Sequence, residues 1–112
     1  MAYQVRNITK SGDACGTCLQ GYVETSFEKL VEAFGEPDLF EGQGDKTDAE
    51  WILEFRNVEN YNEVVIATIY NYKDGKSYLG SEGEDVKKIT DWHVGGRVEK
   101  AAELVKRFVE GL

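Results

Sequence analysis

The chain lacks most of what marks specialised protein classes. None of its 112 residues falls in an apolar run near the ~20 residues that a membrane helix needs. Proline occurs once, and the twelve glycines follow no period, which excludes a collagen-like chain or a Pro-rich linker. Two cysteines are too few for a disulfide framework. With the single histidine they fall one ligand short of a structural zinc site unless a carboxylate serves. The opening residues, Met1-Ala2-Tyr3-Gln4-Val5-Arg6, lack the apolar core of a signal peptide, so a cytoplasmic address is expected. There is no G-x-G-x-x-G, Walker, H-E-x-x-H or EF-hand pattern and no nucleophile elbow. No catalytic residue, metal ligand or cofactor is therefore assigned, and an enzyme is not expected.

Basic residues are also scarce. Thirteen bases face 21 acids, for a net charge of −8. The imbalance is local: residues 24–54 hold ten acids against Lys29 and Lys46, and the rest of the chain sums to neutrality. Such a surface repels phosphate and disfavours direct nucleic-acid binding. It attracts a basic protein groove and speeds the encounter. Acidic loops that only maintain solubility are the simpler reading.

What is present fits a folded domain. Hydrophobic residues make up 41%, with five Phe, six Tyr and two Trp. No repeat, linker or low-complexity tract interrupts the chain, so one domain over 1–112 is expected. Residues 3–9 and 19–23 suit short strands. Thr25 and Glu28 read as a capping box, and Phe27, Leu30, Val31 and Phe34 form one helical stripe that ends at Gly35 and Pro37. Trp51, Leu53 and Phe55 alternate with Ile52, Glu54 and Arg56, a strand with one aromatic face. Val64–Tyr72 is the densest β-branched and aromatic stretch, and suits a central strand. Asp74-Gly75 signals a hairpin leading into a further strand at Tyr78-Leu79. Another strand is predicted over Ile89–Val94, and a second amphipathic helix over Arg97–Glu110. The predicted fold is α+β: a two-layer sandwich of a mostly antiparallel sheet and two helices, in the order β-α-β-β-β-α. The pattern does not say which sheet face the helices leave open.

Three groups of residues are candidates for function. The first is the acidic segment, with Glu28 and Glu32 on the outer side of the helix and Glu36, Asp38, Glu41, Asp45 and Asp48 after it. The second is an aromatic set, Tyr70, Tyr72, Trp92 and His93, with Arg97 beside the Gly95-Gly96 amides. There a strand end entering a helix would bring free N–H groups to a phosphate-bearing ligand. A tight turn and a locally bonded histidine explain the same residues. The third is Cys15-Gly-Thr-Cys18, a C-x-x-C in a small-residue loop. It suits two incidental thiols, a labile disulfide or part of a metal site.

The segments Leu19-Gln20-Gly21-Tyr22-Val23, Phe34-Gly35-Glu36-Pro37, Ala49-Glu50-Trp51, Ala67-Thr68-Ile69-Tyr70-Asn71-Tyr72-Lys73 and Asp91-Trp92-His93-Val94-Gly95-Gly96 together resemble a group of small bacteriophage proteins. The likeness spans roughly residues 17–109 and carries no assigned activity. The helix ending in Phe-Gly-Glu-Pro before a sheet also resembles the α+β unit of β-lactamase-inhibitor-like proteins, in fold alone. The phage likeness implies an inhibitory binding protein of anti-defence, anti-CRISPR type. Its acidic surface would occupy a basic nucleic-acid site of a host protein as a DNA mimic. A nucleotide-sequestering protein and an accessory phage protein, perhaps a homo-oligomer joined through sheet edges, are the alternatives. No membrane partner is expected.

Overall fold

A computed structural model describes residues 2–10, 12, 16–40, 44 and 46–111. The elements are β1 (Tyr3–Asn7), β2 (Cys18–Glu24), α1 (Phe27–Phe34), β3 (Asp38–Leu39), β4 (Ala49–Asn57), β5 (Val64–Tyr70), α2 (Lys76–Leu79), β6 (Asp91–Gly96) and α3 (Lys100–Glu110). The strands form a single sheet in the order β1-β4-β5-β6-β2, with the two-residue β3 beside β1 on β4. All strand pairings among the described residues are antiparallel, as predicted.

Period-2 alternation divides the sheet into two faces. Trp51, Leu53 and Phe55 of β4 lie opposite Ile69, Ala67 and Val65 of β5, and all six are buried. Val94 and Trp92 of β6 and Val23 of β2 extend the same layer. On it lie the stripe of α1, Phe27, Leu30 and Phe34, and that of α3, Ala101, Ala102, Leu104, Val105 and Val109. Close approach of α3 needs a strand residue without a side chain: a Cβ on Gly96 would come within 2.5 Å of the Ala101 Cβ. The helices therefore take the face bearing Trp51 and leave the other open.

Trp51 and Trp92, both 0% exposed, meet edge to face at 5.4 Å between ring centroids. Trp51 Nε1 donates to the Gly35 carbonyl at 2.8 Å, and Trp92 Nε1 to the Thr25 carbonyl at 3.1 Å. The two indoles thus hold α1 at both ends. Gly35, with φ 89°, stops the helix in the left-handed region, and Asn7 Nδ2 donates to the freed carbonyls of Phe34 and Glu36.

Five local expectations are corrected. The N-cap of α1 is Ser26, whose Oγ accepts from the Lys29 amide at 3.1 Å; Thr25 is held instead by the Thr90 carbonyl and by Trp92. Asp74-Gly75 is no hairpin turn, and Tyr78 and Leu79 are not a strand. Gly75 caps α2, and two 3-10 turns, Gly80–Glu82 and Val86–Lys88, follow. The reason is Asn71. Fully buried at the end of β5, its Oδ1 accepts from the amides of Asp48 and Ala49, and its Nδ2 donates to the carboxylates of Asp48 and Asp74. Asp48 Oδ1 accepts from the Ser77 amide at 2.9 Å, and a Cβ on Gly75 would come within 1.8 Å of Asp48 Oδ2. The last strand begins at Asp91 rather than Ile89, and α3 at Lys100 rather than Arg97.

Asn71→Ala takes their partner from two buried amides and from Asp48 Oδ2. It is expected to cost about 2–4 kcal/mol in urea unfolding. A loss below about 1 kcal/mol would show that these groups find other partners.

Candidate functional site

The open face carries a row of side chains that crosses five strands. Tyr22 of β2 lies opposite His93 of β6, His93 opposite Tyr70 of β5, Tyr70 opposite Glu50 of β4, and Glu50 opposite Asp38 of β3. The rings are in contact. Tyr22 meets His93 edge-on at 5.0 Å, Tyr70 stacks on it at 5.4 Å and 30°, and Tyr72 leans against it at 5.5 Å. Tyr22 remains 57% and Tyr72 40% exposed. His93 Nδ1 is buried and has no hydrogen-bond partner. Lys73 Nζ lies over the rings of Tyr72 and Tyr78 at 5.3 and 5.5 Å, so the cluster already engages one cation.

Carboxylates rim the rings. Glu24 and Asp91 face each other across β2 and β6, exposed and beside Tyr22 and His93. Like charges directly opposite oppose strand pairing. Glu50 is half-buried. Burial first, and then the Asp38 charge, raise its pKa from the ordinary glutamate value. Burial, followed by the Glu50 charge, likewise raises the Tyr70 phenol. The four ion pairs among the described residues are Arg6–Glu54, Lys10–Asp38, Arg56–Glu54 and Lys100–Glu63, so Glu24, Glu50 and Asp91 enter none.

Further along the face, Ile8 and Thr9 bond the backbone of Ile52, and both Ile52 and Thr68 are buried. They separate the aromatic end from a basic end, where Arg6 and Arg56 share Glu54 at 3.4 Å each.

The sequence-predicted sites fare unevenly. Tyr70, Tyr72 and His93 do come together. Trp92 does not join them: alternation turns it to the helix side, into the core. Gly95 and Gly96 are paired residues of β6, not free amides at a helix start, and Arg97 lies past the strand end against Gly16. The phosphate cradle expected there is therefore not formed. Tyr22 and Glu50 were missed as site residues. Their link to His93 and Tyr70 is one of strand register, which no local motif reports.

The acidic segment divides. Glu28, Glu32 and Glu36 are exposed on the α1 side, where Phe27, Glu28, Val31, Glu36, Leu39 and Lys87 line a shallow groove of about 370 Å³. Asp38 belongs to the sheet and pairs with Lys10 at 3.6 Å. Asp48 is only 5% exposed and is spent on Asn71 and Ser77, which corrects its expected role as a partner contact. Glu41 and Asp45 lie outside the described residues, as does Cys15; Cys18 is a free, exposed thiol. The described residues include no cluster of three His, Cys, Asp or Glu that could hold a metal ion, and no helix among them is long and apolar enough to cross a membrane.

No protein-family model matches the chain, and no curated protein is significantly similar to it.

A carboxyl with a raised pKa contributes stability below its unfolded value and loses it as the pH climbs through the folded value. Glu50→Gln removes that loss. With allowance for solvent screening, it is expected to raise the melting temperature at pH 7 by roughly 2–4 °C, with the gain closing as the pH falls toward 4. A variant that melts no higher than the parent at pH 7 would refute the cost assigned to Glu50.

Proposed function

We propose that the protein is a non-catalytic binding protein that covers a basic surface of a protein partner with the aromatic end of its open sheet face. The observation that carries this is the ring cluster of Tyr22, His93, Tyr70 and Tyr72. It stands half-exposed on the sheet layer that the helices leave bare, beside three carboxylates without cations. Tyrosines on a rigid sheet give large contact area at little entropic cost and serve as interface anchors. Net charge −8 supports attraction to a basic partner. The likeness to small bacteriophage proteins makes a host protein the expected target and inhibition the expected consequence, since a partner covered in this way loses access to nucleic acid.

The contact surface differs from the acidic segment considered as a unit. Among the described residues of that candidate set, only Glu28, Glu32 and Glu36 stand exposed together, on the opposite side of the sheet. Nucleotide sequestration has less support, because Trp92 and the Gly95-Gly96 amides are committed to the fold.

The test is affinity capture from host extract, followed by binding measurements on the purified captured protein. Tyr22→Ala/Tyr72→Ala is expected to weaken binding about 100-fold, as loss of two anchor residues does, and Glu28→Lys/Glu32→Lys less than about threefold. Undiminished binding by the tyrosine variant, with the helix variant inactive, would transfer the function to α1.

A further inference from the structure

We infer that the aromatic end of the open face receives the guanidinium of an arginine from the protein partner, packed against the ring cluster of Tyr22, His93, Tyr70 and Tyr72 and ion-paired with Glu50. This rests on the reading of that face as the docking surface and names the chemistry it recognises.

Three observations converge on a planar cation. The first is the aromatic cluster. Tyr70 stacks on His93 across adjacent strands, and Tyr22 and Tyr72 stand at the sides with much of their rings exposed. A guanidinium stacks on such exposed tyrosine rings and is more weakly hydrated than an ammonium, so it loses less on leaving water. The second is the carboxylate beside it. Glu50 lies directly opposite Tyr70 in register, half-buried and in no ion pair among the described residues, while Asp38 next to it is engaged by Lys10. An arriving cation offsets the charge that burial and Asp38 penalise. The third is the rim. Glu24 and Asp91 repel each other across the strands beside Tyr22, and both gain from a positive neighbour.

The molecule's own lysines illustrate the mode in weaker form, with Lys73 over Tyr72 and Tyr78 and Lys100 over Tyr3 at 5.3, 5.5 and 5.7 Å. A nucleic acid would bring phosphates to this rim and be repelled. A second copy of the chain is disfavoured by its like charge, and its own open-face arginines, Arg6 and Arg56, are tied to Glu54.

His93 is the only histidine, so its imidazole C–H signals in a proton NMR spectrum report this site alone. The probes are tetra-arginine and tetra-lysine peptides, titrated into the full chain at moderate salt. The His93 signals are expected to move saturably with tetra-arginine and to need roughly fivefold more tetra-lysine. Glu50→Gln is expected to weaken tetra-arginine about five- to tenfold, and Glu28→Gln/Glu32→Gln to leave the His93 response unchanged. The indole N–H signals of Trp51 and Trp92 verify that each variant is folded. Unmoved His93 signals, equal affinity for the two peptides, or a Glu50→Gln variant that binds as the parent does would each overturn the arginine assignment. If it fails while Tyr22→Ala/Tyr72→Ala still abolishes partner binding, the face remains a docking surface for other chemistry. If the tyrosine variant keeps its partner, the docking reading itself falls.

Discussion

The two buried indoles decide the architecture. A tryptophan offers a large apolar surface and one N–H that must be satisfied when it leaves water. Trp51 and Trp92 lie on strands β4 and β6, pack edge to face, and each gives its N–H to a carbonyl that bounds α1. One helix is thereby bonded to the sheet at both ends, and Phe27 packs near both rings between them. With α1 fixed on that face, α3 fills the remaining space, where Gly21 and Gly96 let it come close to β2 and β6. The opposite face is left without a helical cover. The exposure of Tyr22 and Tyr72 is thus a consequence of where the tryptophans point.

Antiparallel register then converts scattered letters into a site. Tyr22, His93, Tyr70 and Glu50 come from four strands that are far apart in sequence, and they align only because β2-β6, β6-β5 and β5-β4 pair with these offsets. The offset at β2 includes a bulge between Leu19 and Gly21, so even a correct strand prediction there leaves the partner of Tyr22 undetermined.

The contrast marks what the sequence holds. Amphipathic period was readable: the stripe of α1, the stripe of α3 and the alternation of β4 follow from side-chain spacing, and with them the α+β class. The α2 region was not, because its conformation answers to long-range bonds. Asn71 and Asp48 are 23 residues apart and together require glycine at position 75, where the local pattern signals a hairpin. Charge misled for a related reason. Ten acids within residues 24–54 look like one patch, yet the chain there passes from helix to strand. Glu28 and Glu32 end on one side of the sheet, Glu50 on the other, and Asp48 inside. Density along the chain is not density in space.

The acids that remain informative are those the fold does not neutralise. Glu54 holds two arginines, Asp38 holds Lys10, and Asp48 is satisfied by Asn71 and the Ser77 amide. These carboxylates are used up by the structure. Glu50, Glu24 and Asp91 are held close to like charge without a cation, next to aromatic rings that stand half in water. Each such arrangement opposes folding by a small amount, and nothing in the packing of the chain requires it: a neutral residue at position 50 would suit the half-buried strand site better. On the proposed reading of this face as a docking surface, binding repays such local costs. The balance of forces within the chain therefore points to the same end of the sheet as its shape does.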